Sequence, residues 1–201
     1  MDDPLQSTLR DIAAFLNAQS VDFAMIGGLA VSVRGEPRLT TDVDVVIAVD
    51  VEGALELLRQ LPSSRFDVPF QGVDEVVRKS FILPLRHNET GTIVDLSIGL
   101  TGFERQAIAR ATLANLMGVV VPVLTAEDLL VMKALANRPR DAEDARQLVL
   151  RQGDALDWKR VMDVAEQLET DLAEDLVPRL WTLRREASQK QLGDGAREPA
   201  D

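Results

Sequence analysis

The chain has no cysteine and no tyrosine, a single histidine, and aromatic residues at only 4% of its 201 positions. The absence of cysteine excludes disulfide frameworks, zinc knuckles, thiol nucleophiles and iron–sulfur clusters, so any bound metal has to be held by oxygen. One histidine, His87, leaves little room for zinc catalysis or a Ser-His-Asp arrangement, both of which draw on imidazole. No apolar run approaches the roughly 20 residues of a membrane-spanning helix. The opening Met1-Asp2-Asp3 lacks the basic-then-apolar pattern of a secretory signal, so no membrane association and a cytoplasmic location are expected. Basic residues are also scarce: 22 Lys and Arg against 33 Asp and Glu give a net charge of -11. That balance opposes broad, sequence-blind adhesion to nucleic acid, although a local basic patch is compatible with it.

What is present is a globular composition, 46% hydrophobic and 27% charged, with no internal repeat. The length fits one mixed core with a helical extension. Apolar residues at Leu5, Leu9, Ile12, Ala13, Phe15 and Leu16 predict an amphipathic helix lying on a sheet. Val21 to Ile26 reads as a strand, Gly27-Gly28 as a tight turn, and Leu29 to Val33 as the start of a helix. Asp42 to Val49 is β-branched and strand-like, and Val51 to Leu61 is helical. Val76 to Arg86 and Thr92 to Ile98, joined by His87-Asn88-Glu89-Thr90-Gly91, predict a β-hairpin. Gly102 to Ala111 predicts a short helix and Val119 to Leu124 a further strand. From Thr125 onward the pattern is helical, with Thr125-Ala126-Glu127-Asp128 as an N-terminal signal. The fold class is α/β, or α+β by strict sheet order: a small mixed sheet with flanking helices over 1–124 and a helical region over 125–187. Residues 188–201 are too polar to bury themselves and read as a disordered tail.

The chemistry concentrates in three carboxylates. Asp42 and Asp44, two apart on a strand, project to one face, where their mutual repulsion is relieved by a divalent cation. Asp95 interrupts the apolar strand Thr92-Ile93-Val94-Asp95-Leu96-Ser97-Ile98, and a charge in that setting needs a partner. Were the two strands neighbours, the three carboxylates would suit two oxygen-ligated metal ions and phosphoryl chemistry. Gly27-Gly28 at a helix start lets the backbone approach a phosphate. Arg34 and Arg38 lie between the glycines and the carboxylates, and Asp141 and Asp144 share a helix face, there either to orient Lys133 or Arg138 or, the reading favoured slightly, to stand solvated or structural. Met25, Leu57, Phe81, Trp158 and Trp181 read as packing residues rather than a base-binding box.

Taken in order, the strand, Gly27-Gly28, the helix, Asp42-x-Asp44 and the later Asp95 resemble the DNA polymerase β-like nucleotidyltransferase superfamily. The segment from Leu124 to Asp144, with its helical Lys133 and Arg/Asp-rich continuation, resembles the AbiEii-type toxin branch. The resemblance implies transfer of a nucleoside monophosphate from a nucleoside triphosphate, ATP among the candidates, to an acceptor hydroxyl. Asp42 and Asp44 would bind two Mg²⁺ ions, with Mn²⁺ as a substitute. Asp95 would complete one ion and help to deprotonate the acceptor. Gly27, Gly28, Arg38 and Lys133 would contact the nucleotide. The acceptor stays open among tRNA, a protein and a small molecule of the aminoglycoside type, and a toxin would have an antitoxin partner. A catalytically silent nucleotide-binding module is the alternative from another class. Gly28 stands where many members of the superfamily carry serine.

Overall fold

In the computed structural model, which describes residues 3–172 and 175–194, the chain divides into two compact units. The first comprises the described residues up to Val33 with Arg38–Thr125; the second comprises Arg34–Pro37 and the described residues from Ala126 on.

The first unit opens with α1 (Pro4–Ala18), whose Asp3 side chain accepts a hydrogen bond from the Leu5 amide at 2.8 Å and so caps the helix. It continues through β1 (Phe23–Met25), α2 (Gly27–Arg34, its last residue assigned to the other unit), β2 (Asp42–Ile47) and α3 (Val51–Gln60). Then come β3 (Phe66–Asp67), α4 (Val73–Ser80), β4 (Ile82–His87), β5 (Ile93–Ile98), α5 (Gly102–Arg110), β6 (Thr112–Leu116) and β7 (Val119–Val123). The strands form one seven-stranded sheet in the order β3-β4-β5-β2-β1-β7-β6. It is mixed: β2 and β5 run parallel, as do β1 and β7, and the remaining pairs are antiparallel.

Alternation along the strands separates two faces. Val43, Val45, Leu85, Val94 and Leu96 are fully buried on one of them. α1 lies on that side: Phe15 sits 6.3 Å from Phe66 between ring centroids, and His87 Nε2 is 2.9 Å from Asp11 Oδ2. His87, fully buried, is also held through Nδ1 by the Thr90 amide, which donates at 3.1 Å. The lone histidine therefore ties helix to hairpin.

The β4–β5 hairpin occurs as the sequence predicts, but Val76 to Ser80 belongs to α4 rather than to the strand. Val73 and Val77 are the two buried residues there, one helical turn apart, with Asp74 and Glu75 in the first turn and Arg78 and Lys79 in the last. That charge order suits the helix dipole and outweighs the β-branched run. Strands β3 and β6 went unforeseen. β6 pairs with β7 through a two-residue turn, Met117-Gly118, in which both residues have positive φ. This hairpin forms one sheet edge and leaves Leu113 and Val120 exposed.

The second unit is helical: α6 (Ala126–Ala136), α7 (Pro139–Gln152), α8 (Trp158–Leu172) and α9 (Leu176–Asp194) pack around Leu129, Leu130, Leu148, Val161, Leu168 and Leu180. α9 carries the backbone as helix to Asp194, beyond residue 188 where the polar tail was expected to start, because Ala187 is still buried and the helix-forming residues after it extend the element. Residues 195–201 of that expected tail lie outside the described residues. One packing expectation is corrected: Phe81 is 43% exposed, whereas Met25 and Leu57 are core and Trp158 of α8 and Trp181 of α9 both pack on the Arg184 guanidinium. Phe81 caps α4 in a left-handed conformation that turns the chain sharply, and Trp181 stacks on the Arg184 guanidinium at 5.1 Å. Among the described residues, no helix is long and apolar enough to cross a membrane.

Candidate active site

The parallel pairing of β2 with β5 aligns Asp44 with Asp95 and Asp42 with Ile93. Directly paired strand residues share a face, so all three carboxylates stand on the side of the sheet opposite the buried valines and leucines. Each of the three is only partly buried.

Two of the carboxylates have defined neighbours. Thr40, two residues before Asp42 on extended chain, donates its hydroxyl to Asp42 Oδ1 at 2.5 Å. Asp44 rests on the glycine turn: the Ile26 amide donates to the Asp44 carbonyl at 3.0 Å, and Gly27 lies directly against the Asp44 carboxylate. A Cβ at Gly27 would fall 1.8 Å from Asp44 Oδ2, and Gly27 has φ +60°, so both space and backbone conformation call for glycine. At Gly28 a Cβ would meet Thr40 Oγ1 at 2.7 Å and Arg38 Nη2 at 2.9 Å. The volume a serine would need is filled by these two side chains, which gives a physical reason for the Gly-Gly form of the turn. Ser32, in α2, closes the arrangement by donating to the Gly28 carbonyl at 2.9 Å and accepting from the Arg38 amide at 3.2 Å.

Asp95 is the perturbed member. Its burial and, second, the charge of Asp42 push its carboxyl above the usual carboxylate range. An acid held up in this way by desolvation and a like charge gains most from a cation, and the donor set consists of hard oxygens suited to Mg²⁺. In donor chemistry the three carboxylates suit a hard divalent ion. As the side chains stand, no group of three or more His, Asp or Glu residues closes a ligand cage among the described residues, since Asp44 faces Gly27 and Asp42 faces Thr40.

The same sheet face continues away from β2. Arg86 in β4 is paired with Ile93 in β5, which is paired with Asp42; in the next row Pro84, Asp95 and Asp44 align. Arg86 is exposed and is a neighbour that sequence reasoning missed, although a charge inside an otherwise apolar strand was a visible signal. Thr40 and Ser32 were missed too; the i, i+2 relation of Thr40 to Asp42 was the available clue.

The remaining expected residues belong to the second unit. Lys133 on α6 is 11% exposed, and its Nζ lies 2.8 Å from both Asp141 Oδ1 and Asp144 Oδ2 on α7, two carboxylates that are themselves buried. Arg138 Nε adds a contact to Asp141 Oδ2 at 2.5 Å. Burial alone would raise Asp141, but hydrogen bonds from Arg138 and Lys133 outweigh it and hold the carboxyl below its ordinary value. Arg34, also of this unit, accepts at its carbonyl a hydrogen bond from Gln152.

Comparison with known proteins gives a consistent result. The profile of the family described as nucleotidyl transferase AbiEii toxin, type IV TA system, matches residues 10–196. No curated protein matches significantly. Among solved structures, an antigenic nucleotidyltransferase-like protein from Paracoccidioides brasiliensis aligns at 22% identity and TM-score 0.50, covering 85% of this chain and 91% of that one. The antibiotic-resistance factor ANT(2'')-Ia aligns at 15% identity and TM-score 0.54, covering 86% and 95%. A complex of ANT(2'')-Ia with adenylyl-2''-tobramycin aligns at 14% identity and TM-score 0.51, covering 92% and 97%. At these identities the likeness is one of fold.

Proposed function

The chain belongs to the family of AbiEii nucleotidyl transferase toxins, and we propose that it moves a nucleoside monophosphate from a nucleoside triphosphate to an acceptor hydroxyl with the help of two Mg²⁺ ions. The observation that supports this reading is the parallel β2–β5 register, which aligns Asp95 beside Asp44 on the face that also carries Asp42.

Asp42, Asp44 and Asp95 would hold the ions, which when bound neutralise charge on the attacking and leaving oxygens. Asp95 would also take the proton from the acceptor hydroxyl, the role that the family pattern implies for it. As that proton leaves, the acceptor oxygen forms a bond to the α-phosphorus and the bond to the pyrophosphate oxygen breaks. Gly27 and Gly28, at the start of α2, would offer backbone amides and the positive end of a helix dipole to the triphosphate, and the Arg38 guanidinium packs against Gly28. Lys133 is engaged by Asp141 and Asp144; to hold a phosphate it would exchange one carboxylate for another anion. ATP is the first triphosphate to try, with Mn²⁺ as a substitute metal.

A toxin role carries with it a cytoplasmic reaction and an antitoxin partner. Transfer of α-labelled nucleoside triphosphates to total tRNA, to protein and to an aminoglycoside panel, with and without Mg²⁺, tests the reading. Label on one acceptor class that Asp44→Asn abolishes supports it. Absence of both label and Mg²⁺-dependent nucleotide binding would leave a silent partner-binding module in its place.

A further inference from the structure

We infer that Arg86 selects the acceptor, holding a phosphate of a nucleic-acid strand beside the attacking hydroxyl. The inference rests on the transfer reading above and adds to it a residue and a charge requirement.

Three observations carry it. First, Arg86 is exposed, and of the Lys and Arg side chains in the sheet-bearing unit it alone has no hydrogen bond or ion pair among the described residues. Its cross-strand partner Asp67 does not engage it; the Asp67 carboxylate accepts instead from the Val68 amide at 2.7 Å. A guanidinium that no side chain of this unit engages is available to an external anion.

Second, Arg86 shares the face of those carboxylates. It pairs with Ile93, one strand from Asp42, and lies diagonal to Asp95, a relation that spans roughly 7–8 Å between Cα atoms and that a long side chain covers. Between them Ile93 is exposed, an apolar step in the row.

Third, sheet order fixes the side from which Arg86 acts. β1, which leads into Gly27-Gly28, borders β2 on one side; β5 and then β4 border it on the other. In-line displacement sets attacking and leaving oxygens on opposite sides of the phosphorus. With the triphosphate at the glycine turn, the acceptor enters over β5 and β4, past Asp95 and toward Arg86. A terminal ribose presents a hydroxyl with a phosphodiester a few ångströms away, matching a base at Asp95 and a cation at Arg86. A polycationic aminoglycoside meets repulsion at the same place, and an uncharged hydroxyl-bearing side chain leaves the guanidinium unused. The net charge of -11 is compatible with this, because recognition of a strand end needs few phosphate contacts rather than a basic surface.

The test measures labelled transfer to total tRNA and to a short synthetic RNA by the unmodified protein, Arg86→Ala and Arg86→Lys, alongside Mg²⁺-dependent NTP binding. Loss of one charge-assisted contact is expected to raise KM for RNA roughly 10- to 100-fold. NTP affinity and kcat at saturating RNA stay unchanged. The slope of log kcat/KM against log salt falls by about 0.7 to 0.9, the share of one phosphate, which a merely structural residue would not alter. Lysine recovers part of the loss. An unchanged KM, an equal loss of NTP affinity, or an unmodified protein that binds NTP yet labels only protein or aminoglycoside overturns the assignment of Arg86. A protein that binds no NTP overturns the transfer reading beneath it as well.

Discussion

Replacing Gly27 by alanine separates two physical costs that coincide at one position. The residue has φ +60°, a conformation that penalises any side chain by about 1–2 kcal/mol. Its Cβ would also fall 1.8 Å from Asp44 Oδ2 and 2.5 Å from Asp44 Cβ, so either the carboxylate or the strand has to move. Gly91 supplies the control. Its φ is +72°, and nothing lies within 4 Å of its Cβ position, so Gly91→Ala bears the conformational cost alone. In a protein of this size each kcal/mol lowers Tm by roughly 2–4 °C. Gly91→Ala is therefore expected to lose roughly 2–8 °C with transfer activity intact. Gly27→Ala is expected to lose more, by an additional 1–3 kcal/mol of the kind that overpacking costs, about 2–12 °C. It should also lose most Mg²⁺-dependent transfer, because Asp44 is the group displaced. Thermal melts and initial rates on the two variants decide the matter. Equal melting shifts with full activity in Gly27→Ala would refute the close packing of Asp44 on the turn.

Other consequences follow from the charged groups. In metal-free protein the raised Asp95 carboxyl makes folding easier below its unfolded pKa, and that contribution is lost as pH rises through the higher folded value. Asp95→Asn should therefore gain in Tm relative to the unmodified chain as pH rises above about 4, the unfolded value, and Mg²⁺ should narrow the gap; a pH series of melts with EDTA reads this directly. Removing Lys133 leaves Asp141 and Asp144 buried without their shared cation, a loss on the order of 3–5 kcal/mol, so Lys133→Ala should melt roughly 6–20 °C lower. Because Asp141 is held below its ordinary value, the stability it contributes is present above about pH 4 and disappears as pH falls through the lower folded value; Lys133→Ala should blunt that acid sensitivity. His87→Ala, which empties a buried site and removes the hydrogen bonds to Asp11 and from the Thr90 amide, should cost about 2–4 kcal/mol by chemical denaturation without changing nucleotide affinity.

Local periodicity made much of this legible in advance. The spacing Asp42-x-Asp44 placed both carboxylates on one face, and α1, β2 and the β4–β5 hairpin follow from alternation or helical spacing. Adjacency of β2 and β5 was a condition in the sequence reading, since pairing across a long insertion is invisible to a local pattern; the fold supplies it. Val76 to Ser80 was misjudged because β-branched residues speak for strand while their position on one buried helical stripe is decided by tertiary packing. The shared helix face of Asp141 and Asp144 allowed two readings, a solvated or structural face or a pair orienting Lys133 or Arg138, and the burial of both acids against Lys133 decides for the second. Thr40, Ser32 and Arg86 were overlooked for a common reason: polar residues acquire meaning from what lies across a strand or turn.

The order in which the chain leaves the ribosome gives the β2–β5 pairing another significance. Asp95 follows Asp44 by about fifty residues, and α3, β3, α4 and β4 intervene. At roughly 5–20 residues per second, several seconds of synthesis separate the two halves of the carboxylate face. During that interval the nascent polypeptide carries Asp42 and Asp44 on a strand with no β5 beside it, and it lacks the third acid altogether. Synthesis thus yields a fragment with an incomplete site first, and the complete carboxylate face only once β5 has been translated and docked.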